Sequence, residues 1–227
     1  MISIIIVGCG ATGSHLITLL SQLAISEKKI DEIILIDGDI VESKNYRNQK
    51  FTSKDLGINK AEVLSNRYNK LGIKVSFIDE YLVDKKLVVN LIKNSLNDFI
   101  LIGCVDNNKA RIVLNDVFYD SCINSLVYID TGNGEGDERT GQTVIGVKCE
   151  NNIIHPPVCN YFPEILTSKE EVKNETYSCS EIQKHPQNFA TNILSATTAF
   201  IITNNIICLN KFNKNLFVFN SDTVSIL

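Results

Sequence analysis

The sequence predicts an α/β fold, a doubly wound and mostly parallel sheet with added antiparallel edge strands, on three observations. Apolar runs without polar alternation recur at Ile2–Val7 and at residues 33–36, 99–105 and 126–129, as in parallel strands that helices cover on both faces. Stretches of helical period separate these runs, and alternating strands and helices wind a sheet on both sides. The first run passes straight into Gly8-Cys9-Gly10-Ala11-Thr12-Gly13 and then a helix, the strand, tight turn and helix start of a Rossmann-like unit.

The elements follow in order. Residues 11–25 place Leu16, Leu19, Leu20 and Leu23 on one stripe, and residues 61–71 and 84–96 behave likewise. Residues 107–119 carry Ile112, Val113 and Val117, again at helical spacing. After Asp130 the texture changes: Gly132, Gly134, Gly136 and Gly141 surround a charged loop, and residues 142–148 read as an added antiparallel strand. Residues 150–186 hold all four prolines and no sustained period, so a mobile, crossover-type loop is expected there. A buried helix at Phe189–Leu209 and a hairpin of Leu216–Asn220 with residues 223–227 close the chain.

With 227 residues and 44% hydrophobic content, the chain is long enough for one substantial core. A single unit over 1–227 is expected, with a nucleotide-binding core at 1–130 and the C-terminal helix and hairpin at 187–227. The formal net charge of −4 argues against a broad basic surface for nucleic acid. Met1 enters the first strand at once, so no secretory leader is expected and the cytoplasm is the expected location. Asn192, Thr197, Thr198, Thr203, Asn204 and Asn205 make the late apolar segment too polar for a bilayer span. Seven cysteines, an odd number without a Cys-x-x-Cys, fit reduced thiols. Neither His155 nor His185 forms a recognisable metal set with them, and no structural zinc is expected.

Chemistry concentrates at the strand ends. Gly8 permits the tight turn, Gly10 lets backbone N–H groups approach phosphate oxygens, and Gly13 lets the helix pack close to the strand. Asp37 follows the second strand and would serve the ribose of NAD as well as that of another nucleotide. Asp39 stands two residues on as a further nucleotide-site candidate, and the following Asn45, Arg47, Gln49 and Lys60 tip the balance toward a triphosphate, which needs cationic and amide donors along its length. Asp106 and Asn107 follow the 99–105 strand, at the carboxyl edge beside the same crevice, where a carboxylate can hold Mg2+. Each residue also has a plainer use: Lys60 as a solvated cation, Asp106 as a helix cap, Asn45 as a turn former.

Taken in order, Gly-x-Gly-x-x-Gly, Asp-x-Asp-x-Val, Asn-x-x-x-Gln, Gly-x-x-Lys and Asp-Asn with a following Arg resemble the adenylation domain shared by ubiquitin-activating enzymes and the ThiF/HesA/MoeB adenylyltransferases. Tyr128-Ile129-Asp130-x-Gly132-Asn133, Gly141-Gln142 and Ser178-Cys179-Ser180 also look like the ThiF-like proteins of plasmid PRTRC systems. The resemblance implies that Asp37 binds the ATP ribose, Asn45 and Lys60 the phosphates and Asp106 the magnesium, with Arg111 supporting the site. It implies adenylation of the C-terminal glycine carboxylate of a ubiquitin-like or sulfur-carrier protein, with Lys60, Arg47 and Mg2+ at Asp106 neutralising charge. A homodimer, and a conjugating-enzyme-like protein as a further partner, belong to the same expectation.

The sequence departs from that pattern in the arginine register. The family reads Asn-x-x-Arg-Gln, whereas Asn48 stands in the arginine register and Arg47 comes one residue early, so an inactive nucleotide-binding scaffold or heterodimer subunit is the second reading. A nicotinamide-dependent oxidoreductase is the third, without a convincing hydride-transfer site. Cys179, in a polar setting ahead of the last long helix, is the candidate nucleophile for a thioester step, with Cys159 as its rival. Cys9, inside the phosphate loop, reads as a small filler.

Overall fold

The computed structural model describes residues 1–134, 138–167, 188–211, 214–223 and 225–226. In chain order the strands are β1 Ile2–Val7, β2 Ile30–Ile36, β3 Val75–Ile78, β4 Asp98–Gly103, β5 Leu126–Asn133, β6 Thr140–Cys149, β7 Asn152–His155, β8 Leu216–Asn220 and β9 Ser225–Ile226. The helices are α1 Ala11–Ser26, α2 Lys60–Asn69, α3 Lys86–Lys93, α4 Asn108–Phe118, α5 Val158–Tyr161, α6 Glu164–Thr167 and α7 Phe189–Leu209.

The strands form one sheet in the order β3-β2-β1-β4-β5-β6-β8-β9, with β7 also paired to β6. From β3 to β5 every pairing is parallel; β6 then runs antiparallel to β5. The outer edge of β6 is shared, its start pairing with β8 and its end with β7. This is the predicted class.

Unbroken apolar runs arise because alternate residues enter two separate cores. Ile4, Ile6, Ile33 and Leu35 point to the face covered by α1, α2 and α7. Ile5, Val7, Ile34 and Ile36 point to the face covered by α3, α4, α5 and α6. With side chains alternating along a strand and both faces dry, both parities favour apolar residues in these segments, and buried Ser3 is accommodated by a hydrogen bond from the Asn97 amide at 2.9 Å.

The structure differs from the sequence expectations in three places. The strand predicted at 126–129 continues to Asn133, carrying Asp130 and Thr131 buried inside it; their polarity hid the continuation, and hydrogen bonds satisfy them there. A short strand, β3, stands at the sheet edge where no element was predicted. In the expected loop at 150–186, residues 152–167 hold β7, α5 and α6, because Val158, Cys159 and Ile165 anchor in the second core.

Helix α7 is long and apolar enough, by length and composition, to cross a membrane, yet it lies against α1, β5 and β6. Two of its buried hydroxyls are accommodated locally: Thr198 and Thr203 donate to the carbonyls of Leu194 and Ala199, each at 2.8 Å. Such back-bonding removes the cost of burying a hydroxyl in an apolar setting.

Candidate active site

The loop from β1 to α1 turns at Gly8, whose φ of +92° belongs to the left-handed region. A side chain there would also meet the Cys104 carbonyl oxygen at 2.5 Å, where the end of β4 presses against the loop. At Gly13 an added Cβ would lie 1.9 Å from the Gly8 carbonyl oxygen, whereas at Gly10 nothing lies within 4 Å. Two glycines therefore serve close packing, and the third leaves open space before the helix start. Helix α1 has Gly10 at its N-cap, no capping side chain and no acidic residue in its first turn. Its first N–H groups and positive dipole end thus face that space without a competing anion.

Asp37 clasps this loop to the end of β2. Its Oδ2 accepts the Cys9 N–H at 2.5 Å and its Oδ1 the Asp39 N–H at 2.7 Å. Burial raises its carboxyl above the usual range against the pull of these two backbone donors. Asp39 behaves oppositely: burial would raise its carboxyl, but hydrogen bonds from Lys60 and Tyr81, with the charge of Lys60, bring it below the usual value. Lys60 Nζ lies 2.8 Å from Asp39 Oδ2, its side chain almost wholly buried. The plain reading of Lys60 as a solvated cation is thereby corrected: it is an enclosed ammonium paired with one carboxylate.

Two residues of this cluster were missed in the sequence. The Tyr81 hydroxyl donates to Asp39 Oδ1 at 2.6 Å, and its ring lies against Gly38. The phenol is pushed up to about 12, first by that bond. Asn59 caps α2 by accepting the Glu62 N–H, and its amide donates to the carbonyls of Asp37 and Asp39. Asn immediately before a helical run was a legible cap signal; an isolated tyrosine carried none.

The 3-10 turn Ser43–Arg47 carries the remaining donors. Asn45 is buried, and its Oδ1 accepts the Glu42 N–H at 2.7 Å, so its turn-forming use is realised. Gln49 leaves a buried Oε1 without a hydrogen-bond partner, while Arg47 is exposed and enters no ion pair among the described residues. Two contacts hold the turn to α1: Lys50 N–H donates to Ser14 Oγ at 3.1 Å, and His15 Nε2 lies 3.3 Å from the Asn48 carbonyl. The His15 ring also sits 5.5 Å from that of Phe189, at the start of α7. Burial lowers the His15 pKa, helped by Lys50 and opposed by the Asn48 carbonyl.

After β4, Asn107 takes the cap of α4, its Oδ1 accepting the Ala110 N–H at 2.8 Å. The capping use considered for Asp106 therefore falls to its neighbour, and Asn107 is committed to structure. Asp106 is exposed, with one long contact of 3.4 Å from the Asn107 amide. Arg111 is fully engaged: its Nε reaches buried Asp130, and its Nη2 donates to the carbonyls of Val105 and Thr131. Tyr128 donates to the other Asp130 oxygen at 2.8 Å. Burial raises Asp130 despite Arg111. This staple fixes the loop carrying Asp106.

The cysteines divide plainly. Cys9 is buried with its thiol raised by burial, and Cys159 is 3% exposed and pushed up to about 11 by the same cause. A thiol so held is protonated and inert, which removes Cys159 as a nucleophile and makes it a core residue. Cys179 lies outside the described residues. Among the described residues, no group of three His, Cys, Asp or Glu is placed to hold a metal ion.

A family model described as the ThiF family matches residues 1–207. No curated protein matches the sequence. Among solved structures, E. coli MccB with ATP superposes with a TM-score of 0.67 at 23% identity, covering 99% of this chain and 62% of that one. E. coli MccB with AMPCPP and MccA gives 0.67 at 21%, with the same 99% and 62% covered. PaaA gives 0.69 at 18%, again covering 99% and 62%. This chain thus spans about three fifths of the length of these proteins, whose likeness to it is one of fold.

Proposed function

The chain belongs to the ThiF family, and from that premise we propose that it uses ATP to adenylate a carboxylate at the C-terminus of a ubiquitin-like or sulfur-carrier protein, a glycine being the expected last residue. One observation carries the reading: the open helix start at Gly10, the Asp37 clasp, buried Lys60 and exposed Asp106 all stand at the carboxyl ends of adjacent strands. In open α/β sheets that edge is where ligands bind. The ATP and MccA bound by the MccB structures support a nucleotide and a second ligand on this fold.

In the proposed step a carboxylate oxygen forms a bond to the α-phosphorus, the bond from that phosphorus to the bridging oxygen breaks, and pyrophosphate leaves with the electron pair. The nucleophile is already ionised, so the chain's residues position and neutralise rather than transfer protons. The helix start receives phosphate oxygens, Asp37 orients the ribose, and Lys60 and Arg47 face the triphosphate charge. Asp106 fits Mg2+, because this ion is commonly held by one or two carboxylates together with substrate phosphates, and Asp106 has no structural duty. When bound, the ion neutralises charge on the attacked phosphate.

Cys179 is proposed to take the acyl group: its thiolate attacks the acyl carbon, and AMP leaves. A homodimer is proposed for the working assembly. The test is ATP–pyrophosphate exchange with Mg2+ and candidate carrier proteins, followed by intact-mass measurement. Exchange that requires one carrier and disappears in Asp106→Ala supports adenylation; a thiol-reducible adduct absent from Cys179→Ala supports the thioester. The exposed Arg47 beside Asn48 favours a second reading, a binding scaffold without turnover, which predicts ATP binding but no exchange with any carrier.

A further inference from the structure

Tyr81, just after β3, is 64% exposed, yet its place is closely specified. Its hydroxyl donates to Asp39 Oδ1 at 2.6 Å. A Cβ added at Gly38 would lie 2.6 Å from Cγ and Cδ2 of its ring and 2.7 Å from its backbone nitrogen, so the glycine between Asp37 and Asp39 is what admits the tyrosine. A hydroxyl this exposed could bond to water at little cost. The consequence of the contact therefore lies with the carboxylate it holds.

The backbone of Asp39 is fixed without Tyr81. Its carbonyl accepts the Lys60 N–H at 2.9 Å and the Asn59 amide at 3.1 Å, and its N–H donates to Asp37 Oδ1 at 2.7 Å. Its side chain is 48% exposed, so the turn of the carboxylate about its own axis is the freedom that remains. Lys60 is enclosed, with 7% of its side chain exposed, and Asp39 Oδ2 at 2.8 Å is its one side-chain acceptor among the described residues. An ammonium carries three N–H donors, and a carboxylate accepts through both oxygens. A carboxylate free to turn would close both oxygens on the ammonium. With Oδ1 held by the phenol, only Oδ2 is available to Lys60.

We infer that Tyr81 is a positioning residue for the nucleotide: by holding Asp39 Oδ1 it limits that carboxylate to a single contact with Lys60 and leaves the other ammonium hydrogens to the phosphate oxygens. This rests on the nucleotide reading above and adds to it a residue that acts through Asp39 rather than by touching phosphate. Against burial, the bonds from Lys60 and Tyr81 also hold the Asp39 carboxyl below its usual value, so the ion pair stays charged. A charged group locked by such a supporting bond surrenders less freedom when its ligand arrives.

Calorimetric binding of ATP and of adenosine tests it. Tyr81→Phe keeps the ring and removes the hydroxyl. ATP is expected to bind this variant about tenfold more weakly, the scale of one charge-assisted hydrogen bond, while adenosine, which offers Lys60 no phosphate, binds as it does to the wild type. In a Lys60→Met background the same substitution changes ATP affinity no further, because the hydroxyl acts only through the ammonium; Asp39→Ala supplies the background if the buried variant does not fold. Unchanged ATP affinity in Tyr81→Phe overturns the inference, as does a loss that persists in that background. An equal loss for ATP and adenosine also overturns it and makes the tyrosine a contact for the nucleoside. If the wild type binds neither ligand, the nucleotide reading itself fails, and the inference with it.

Discussion

Gly10 and Gly13 stand three residues apart and answer to different demands. At Gly13 a methyl group would enter the Gly8 carbonyl, so Gly13→Ala is expected to cost about 1–3 kcal/mol as overpacking, read as a lower urea midpoint. At Gly10 the space is open, so Gly10→Ala changes stability by at most about 1 kcal/mol, the scale of an altered cap. Its methyl group instead stands where phosphate approaches, and ATP affinity should fall about tenfold, as for one charge-assisted hydrogen bond lost. Calorimetry on the two variants separates packing from binding. Asp106→Asn is expected to reduce pyrophosphate exchange by about a hundredfold or more, the scale of one electrostatic contact to the transferring group, without moving the melting temperature. The places of both glycines in the β1–α1 loop and of Asp106 just after β4 were legible in the sequence, because each follows directly from the end of an apolar run. Tyr81 was not, since nothing local to residue 81 reveals that its hydroxyl reaches Asp39 across the sheet edge.

At the scale of elements, the 3-10 turn, α1 and the start of α7 meet at His15. Its pKa is lowered, first by burial, so over the range between the folded and unfolded values the unfolded chain binds more protons and stability rises with pH. The stability is complete above the unfolded histidine pKa of about 6.5 and is lost as pH falls below it, until the lowered folded value is passed. Asp37 and Asp130, both raised by burial, act with the opposite sign at more acid pH. The check is therefore a comparison: urea midpoints of wild type and His15→Gln, taken from neutral to mildly acid pH, should diverge below about 6.5. The order of the other strands and helices, β3 and the elements of residues 152–167 apart, could be read from apolar runs and period alone. The length of β5 could not, because Asp130 and Thr131 break the apolar pattern while Arg111, Tyr128 and the Gly103 carbonyl satisfy them inside the sheet. Asn107 likewise resembled a ligand in the sequence, and its role as a cap emerged only with the helix it starts.

Across the whole molecule, the parallel strands β3 to β5 carry every described residue assigned here to the nucleotide, and the antiparallel strands extend the sheet on the side where α7 packs. If ATP with Mg2+ binds only the folded chain, ligand at a hundred times its dissociation constant adds about 2.7 kcal/mol. For a chain of this size that is a rise in melting temperature of about 5–10 °C, measurable by calorimetry; NAD should give none, and Asp106→Asn should lose the part that depends on magnesium. The carboxylate after β2 carries a further consequence. With one oxygen on Cys9 and the other on Asp39, it welds the glycine loop to the neighbouring strand end before any nucleotide arrives. Sugar and phosphate then meet a frame of fixed spacing, so little conformational freedom is surrendered there on association. Cutting that weld, as in Asp37→Ala, should show first in the entropy of nucleotide binding.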